Sequence, residues 1–179
     1  KAMMPHVNNL RLLFNEHSFN ADGSLHSAYE AFLAAAAAQG YQITMLYSGG
    51  DVQNIGRPGW VPDVGQTSST TAMTNVQAYA ALQAQFLQTQ GAWDGMMDWL
   101  DAHPAVKAAI WGYELMNEAA GYDYAIAHNG AGGGLTLASF VTLYANHNIA
   151  LAQMIEARAA GNILVGGWGY NGDFATLNS

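Results

Sequence analysis

The sequence predicts an α/β protein built on a parallel sheet of about four strands. Three observations predict it. Apolar runs of strand length alternate with longer segments whose apolar residues recur at helical spacing. Each apolar run stops at a cluster of polar, glycine or aromatic residues. The composition, 51% hydrophobic and only 10% charged, fits a packed interior rather than disorder. Parallel strands joined by helices bring their C-terminal ends to one rim, where ligands bind in such sheets. The four clusters are therefore read together: Asn15, Glu16 and His17; Ser48 and Asp51; Asn117 and Glu118; Trp168, Tyr170 and Asp173.

The first strand is read over Val7–Glu16, with Arg11 inside an otherwise apolar run. Such an Arg either finds carboxylate or carbonyl partners or snorkels to water from an edge position. Phe19–Ser24 is a turn cluster in which Ser24, or a residue beside it, is placed to cap the next helix. That helix, Ala28–Gln39, carries Tyr29, Phe32, Leu33 and Ala36 at helical spacing, and Gly40 ends it. Tyr41–Tyr47 is the second strand. A long loop, Val52–Thr71, follows with Trp60 in its middle, either a platform for a ligand or a packing plug.

A helix then runs from Thr74 or Asn75 to about Gln90, with a break expected at Gly91. A second helical piece, Trp93–Ala102, presents Trp93, Met96, Met97 and Leu100 as a core stripe, and His103-Pro104 stops it. The third strand starts at Ala108 and stops at the polar pair Asn117-Glu118. A second loop, Asp123–Gly134, lacks the Lys-Ser/Thr of a phosphate loop despite its glycines. The last helix is read over Leu137–Ala160, with Phe140, Leu143, Tyr144, Ile149, Met154 and Ile155 among its apolar positions. Asn162–Asp173 is the fourth strand and its aromatic mouth.

Charge and composition exclude several classes. The net charge is −8, with only five Lys and Arg, which argues against nucleic acid and anionic membrane surfaces as partners. There is no cysteine, so neither disulfides nor thiolate metal sites are available. No apolar run reaches the roughly 20 residues of a membrane helix. The six histidines show no metal-ligand spacing, so neither a metal nor any other cofactor is expected. The start at Lys1 fits a processed or truncated N-terminus. At 179 residues the chain is expected to form one domain, 1–179.

Within Ala108–Tyr122, alternation along a strand puts Gly112, Glu114, Met116 and Glu118 on one face. Two carboxylates on a buried strand are costly unless paired, hydrogen-bonded or used. Glu114 reads as a partner of Arg11 or of the backbone rather than as a second reacting group.

Gly112-Tyr-Glu-Leu-Met-Asn-Glu118 resembles the fourth-strand signature of the clan A glycoside hydrolases, most like family 5. Asn8–Phe14 is similar to the family's second strand, Ala38–Met45 to its third helix-to-strand passage, and Tyr144–Gly167 to the segment leading into strand five. The resemblance implies a (β/α)8 TIM-barrel type of fold, here a partial barrel of units two to five. It implies a retaining glycosidase acting on a β-linked polysaccharide or oligosaccharide, in a secreted or periplasmic setting. Such enzymes use two carboxyl groups about 5–5.5 Å apart. Glu118 takes the general acid/base role, Asn117 the sugar 2-hydroxyl, and Arg11 the steadying of the nucleophile. Trp168, Tyr170 and Trp60 are candidates to stack on sugar faces.

Two departures accompany the resemblance. Where the family often has a His after its third strand, this chain reads Tyr47-Ser48-Gly49. The family's nucleophile belongs to strand seven, which has no counterpart in this stretch. The chain is therefore expected to be part of a longer enzyme or a half-barrel in need of a partner. The competing expectation is a non-catalytic carbohydrate-binding half-barrel that associates through its open sheet edges.

Overall fold

The computed structural model describes residues 6–48, 75–117 and 136–166. Its elements are β1 (Asn9–Phe14), a 3-10 turn (Glu16–Ser18), α1 (Ser27–Ala38), β2 (Gln42–Tyr47), α2 (Asn75–Ala102), α3 (Pro104–Lys107), β3 (Ile110–Glu114), α4 (Leu137–Glu156) and β4 (Asn162–Leu164). The four strands form one parallel sheet in the order β1-β2-β3-β4. Consecutive strands lie side by side, with helical segments between them, as the alternation in the sequence requires.

One face of the sheet meets the helices. Phe14, at the end of β1, packs edge-on against Tyr47 of β2 at 5.7 Å and against Trp93 of α2 at 4.7 Å. Trp93 in turn meets Tyr113 of β3 at 6.1 Å. Met96, Met97 and Leu100 extend this layer, and Phe140, Tyr144, Leu151 and Ile155 of α4 complete it, all of them buried. The Met and Trp stripe of α2 is thus core, as its spacing indicates.

β2 and β3 do not run in uniform register. Ile43 pairs with Ile110, but the next residue, Thr44, pairs with Gly112, so Trp111 is an extra residue on β3. A one-residue slip moves side chains to the opposite face of a sheet. In consequence Glu114 is opposite Leu46 rather than Tyr47. Because Leu46 is opposite Leu13, two residues beyond Arg11, the offset brings Glu114 to the face that carries Arg11.

The helices follow local chemistry, with three departures from expectation, at Ser24, Gly91 and Ile149. α1 ends in a Schellman arrangement: Gly40 N donates to Ala37 O at 2.9 Å and Tyr41 N to Ala36 O at 3.1 Å. Gly40 has φ 73°, which only glycine adopts without cost. Ser24 does not cap α1; it donates to Asp22 Oδ1 at 2.6 Å and accepts from Asn20 Nδ2 at 2.9 Å, closing the preceding turn. His26 occupies the cap position without a side-chain bond.

The expected break at Gly91 is absent, and α2 is continuous over 28 residues. A glycine costs a helix about 1 kcal/mol relative to Ala. Phe86 and Thr89 before it and Ala92 and Trp93 after it are all buried, so one packed face runs through the glycine and holds the helix together. In α4, Ile149 is 53% exposed rather than part of the apolar face. The buried positions are Phe140, Tyr144, His147, Leu151 and Ile155, a repeat of three and four residues that leaves Ile149 on the opposite side. β4 covers Asn162–Leu164, and the mouth expected after it lies outside the described residues from position 167 on.

At the N-terminal end of the sheet, Arg158 gathers three carboxylates from α2. It reaches Asp94 Oδ1 at 3.0 Å, Asp98 Oδ1 at 2.6 Å and Asp101 Oδ2 at 2.6 Å. Lys107 also binds Asp101 and donates to Arg158 O at 2.6 Å. These two cations hold the Asp101 carboxyl below its ordinary range. The network ties the entrances of β3 and β4 to the end of α2.

His147 gives the fold a built-in sensitivity to acid. Its ring stacks on Phe86 at 4.0 Å and lies 3.4 Å from Gln90 Nε2 through Nδ1. Burial lowers its pKa to about 3, against 6.5 for an ordinary His. Below pH 6.5 the unfolded chain takes up a proton there that the folded chain does not. Stability from this residue is therefore complete above pH 6.5 and falls with pH, by up to about 1.4 kcal/mol per unit, towards pH 3. Urea midpoints measured between pH 7 and 4 are expected to fall less steeply for His147→Phe than for the wild type. Parallel curves for the two proteins contradict the assignment.

Candidate functional site

The C-terminal rim of the sheet carries a connected set of polar side chains from three consecutive strands. Arg11, on β1, is half exposed and reaches across β2 to Glu114 on β3. Its Nε donates to Glu114 Oε2 and its Nη2 to Glu114 Oε1, both at 2.7 Å. This two-pronged geometry is the stronger form of Arg–carboxylate pairing. The Glu114 side chain is only 14% exposed, so its negative charge sits where a partner is required. The same Arg11 Nη2 donates to Asn117 Oδ1 at 3.1 Å.

Asn117 is placed by its backbone as well. Its N–H donates to Tyr47 O at 2.8 Å, so the segment leaving β3 is tied to the end of β2. Two residues earlier, Leu115 N donates to Leu164 O at 3.0 Å, tying the same segment to β4. Leu115 O accepts from Trp93 Nε1 at 2.9 Å. Three neighbouring elements, β2, β4 and α2, therefore hold Asn117 and Leu115.

Asn117 Nδ2 reaches Ser48 Oγ at 3.5 Å, the outer limit of a hydrogen bond. Ser48 O accepts from Asn15 Nδ2 at 3.3 Å, and Ser48 N donates to Phe14 O at 2.8 Å. Beside them, Tyr47 OH donates to Glu16 Oε2 at 2.8 Å. Glu16 is engaged with buried Tyr47 and adjoins His17, which lies 3.3 Å from its other oxygen. Further along the rim, Tyr144 OH donates to Gly166 O at 2.7 Å and fixes the chain leaving β4.

The structure thus brings Arg11 and Asn117 together, with Glu114 between the strands and Ser48 alongside. Glu118, Trp60, Trp168 and Tyr170 lie outside the described residues, as do Asp51 and Asp173. Among the described residues, no group of three His, Asp or Glu side chains is placed to hold a metal ion, and no helix is long and apolar enough to cross a membrane. Sequence reasoning missed two contributions. Asn15 acts through its side chain on Ser48, and Trp93 adds a hydrogen bond to the backbone before Asn117; the helical stripe marks Trp93 only as core.

Chemically, the described residues around Asn117 offer an amide, a hydroxyl and a guanidinium whose charge is balanced by a carboxylate. Such a set suits neutral polyhydroxylated ligands better than anions, because Arg11 is already paired with Glu114.

No protein-family model and no curated protein matches the chain. Among solved structures, the fold is similar to that of a GH5 xyloglucan-specific β-1,4-glucanase from a ruminal metagenomic library, in complex with XXLG. The TM-score is 0.58 at 10% sequence identity, over 94% of this chain and 41% of that one. The chain thus spans about two-fifths of the length of that enzyme. At this identity the likeness concerns the fold alone: four parallel strands with helices, of the α/β class to which the TIM-barrel glycoside hydrolases belong.

Proposed function

We propose that this chain supplies the acid/base half of a retaining glycoside hydrolase acting on a β-linked polysaccharide or oligosaccharide. Residues 1–179 then correspond to units two to five of a (β/α)8 barrel. Glu118 is the general acid/base, Asn117 hydrogen-bonds the sugar beside the scissile bond, and the nucleophile is not among these residues. One observation carries the reading. Asn117, the residue before Glu118, sits on the C-terminal rim of a parallel sheet, with its amide engaged by Arg11 and its backbone by β2. The fold of a GH5 glucanase in complex with XXLG supports it. In this reading Trp168, Tyr170 and Trp60 stack on sugar rings, and the protein works in a secreted or periplasmic setting.

A second reading, a non-catalytic carbohydrate-binding or self-associating half-barrel, is favoured by the position of β1 and β4 as the two edges of the sheet. Affinity electrophoresis through soluble β-glucan and mannan, together with light scattering, tests both. Retardation of the wild type that is lost in Asn117→Ala is expected. Migration unaffected by any β-glycan removes the carbohydrate reading. A monomer that hydrolyses β-glycan unaided refutes the absence of a nucleophile.

A further inference from the structure

We propose that Glu114 is a positioning residue: through Arg11 it sets which way the side-chain amide of Asn117 faces. The inference rests on the carbohydrate reading only for the identity of the ligand.

An Asn side chain has two nearly isosteric ends, one accepting and one donating, and exchanges them by a half-turn. Arg has donors and no acceptor. The end of Asn117 that meets Arg11 Nη2 at 3.1 Å must therefore be Oδ1. Nδ2 then faces Ser48, which it reaches only at 3.5 Å. A donor this loosely engaged remains available to an acceptor such as a glycan hydroxyl.

Arg11 does not hold this position by confinement. It lies on an edge strand and its side chain is 49% exposed. Its level in the sheet is shared with Thr44 and Gly112, two small residues that leave the way across open. What directs the guanidinium along that path is Glu114, which accepts from both Nε and Nη2. The two hydrogens of Nη2 are thereby divided, one to Glu114 Oε1 and one to Asn117 Oδ1. The offset at Trp111 puts Glu114 on this face at all. Without the carboxylate, the long Arg side chain returns to water and the amide loses the contact that selects its orientation.

The test uses the full chain, labelled with 15N, and the variants Glu114→Gln, Asn117→Ala and the double variant. In the free wild type the Arg11 Nε–H and the Asn117 side-chain amide are expected as protected, well-dispersed signals. In Glu114→Gln the first is expected to vanish by exchange with water and the second to move to the position of a solvated Asn, with the core signals unchanged. An unmoved Asn117 amide overturns the proposal. Should Glu114→Gln not fold, Arg11→Lys, which keeps the charge and removes the fork, is read by the Asn117 amide alone, and an unmoved amide again overturns the proposal.

Affinity for cellotetraose and mannotetraose supplies the second readout. Each single variant is expected to bind about tenfold more weakly, and the double variant about tenfold rather than hundredfold, because both act on one contact. Additive losses mean that Glu114 does not act through Asn117 and overturn the proposal. Failure of the wild type to bind either sugar overturns the carbohydrate reading instead, while the signals of the free protein still decide the role of Glu114.

Discussion

Replacing Glu118 with Gln, in a protein that joins this chain to the nucleophile, is expected to slow hydrolysis of a β-linked glycan by roughly 10²–10⁴-fold. Gln matches Glu in shape and keeps a hydrogen-bonding end, so glycan affinity is expected to stay within a factor of about two of the wild type. The loss arises because the departing sugar oxygen then leaves as an unprotonated alkoxide. An aryl glycoside whose phenolate leaves without a proton is expected to form the glycosyl-enzyme nearly as fast as before. Its slow step becomes hydrolysis of that intermediate, where the same residue serves as base. Azide, which attacks without a base, is expected to restore turnover and to yield the β-glycosyl azide. Unchanged hydrolysis of natural glycan in Glu118→Gln removes the acid/base assignment; unchanged turnover at saturation with weakened binding makes position 118 a binding residue only.

The second large effect concerns the support beneath the rim. Trp93→Ala is expected to lower stability by about 3–5 kcal/mol, the usual cost of removing a large buried ring. Trp93 is fully buried, touches Phe14 and Tyr113, and donates to Leu115 O. Removing it leaves a cavity and a carbonyl without that donor two residues before Asn117. Trp93→Phe separates the two contributions: it keeps most of the ring and loses the hydrogen bond, for an expected cost of about 1–2 kcal/mol. Urea denaturation of the three proteins measures both. If Phe is as damaging as Ala, the indole N–H rather than packing dominates; if Ala costs under about 1 kcal/mol, the core described here is wrong.

Much of this architecture is legible in the residue order. Strand-length apolar runs separated by helical periodicity give the order of elements and the parallel sheet, and Gly40 and Pro104 mark ends that the structure places there. Local signals failed where a neighbour outweighs them. Gly91 reads as a break, but burial on both sides of it carries α2 through. Ser24 reads as a cap, but Asp22 and Asn20 are nearer partners. Ile149 reads as core because its residue type is apolar, whereas the buried repeat of α4 passes it by.

The candidate site is legible in part for the same reason. The pair Asn117-Glu118 stands out because a polar step ends an apolar run. A charge inside β1 marks Arg11 as needing a partner, and Glu114 is the carboxylate it finds. The length of the reach across β2, and the use of one guanidinium nitrogen for both Glu114 and Asn117, depend on a register that no local pattern encodes.

The extra residue at Trp111 gives β3 a point at which the chain can change without losing its pairing to β2. Exchange of Trp111 for another amino acid alters a side chain that is 42% exposed and leaves the sidedness of everything downstream intact. Loss of that single codon leaves Thr44 opposite Gly112 and Leu46 opposite Glu114, so the downstream residues keep the faces they occupy. A deletion between Glu114 and Asn117 has no such extra residue to absorb it and moves Asn117 one place relative to Glu114 and Arg11.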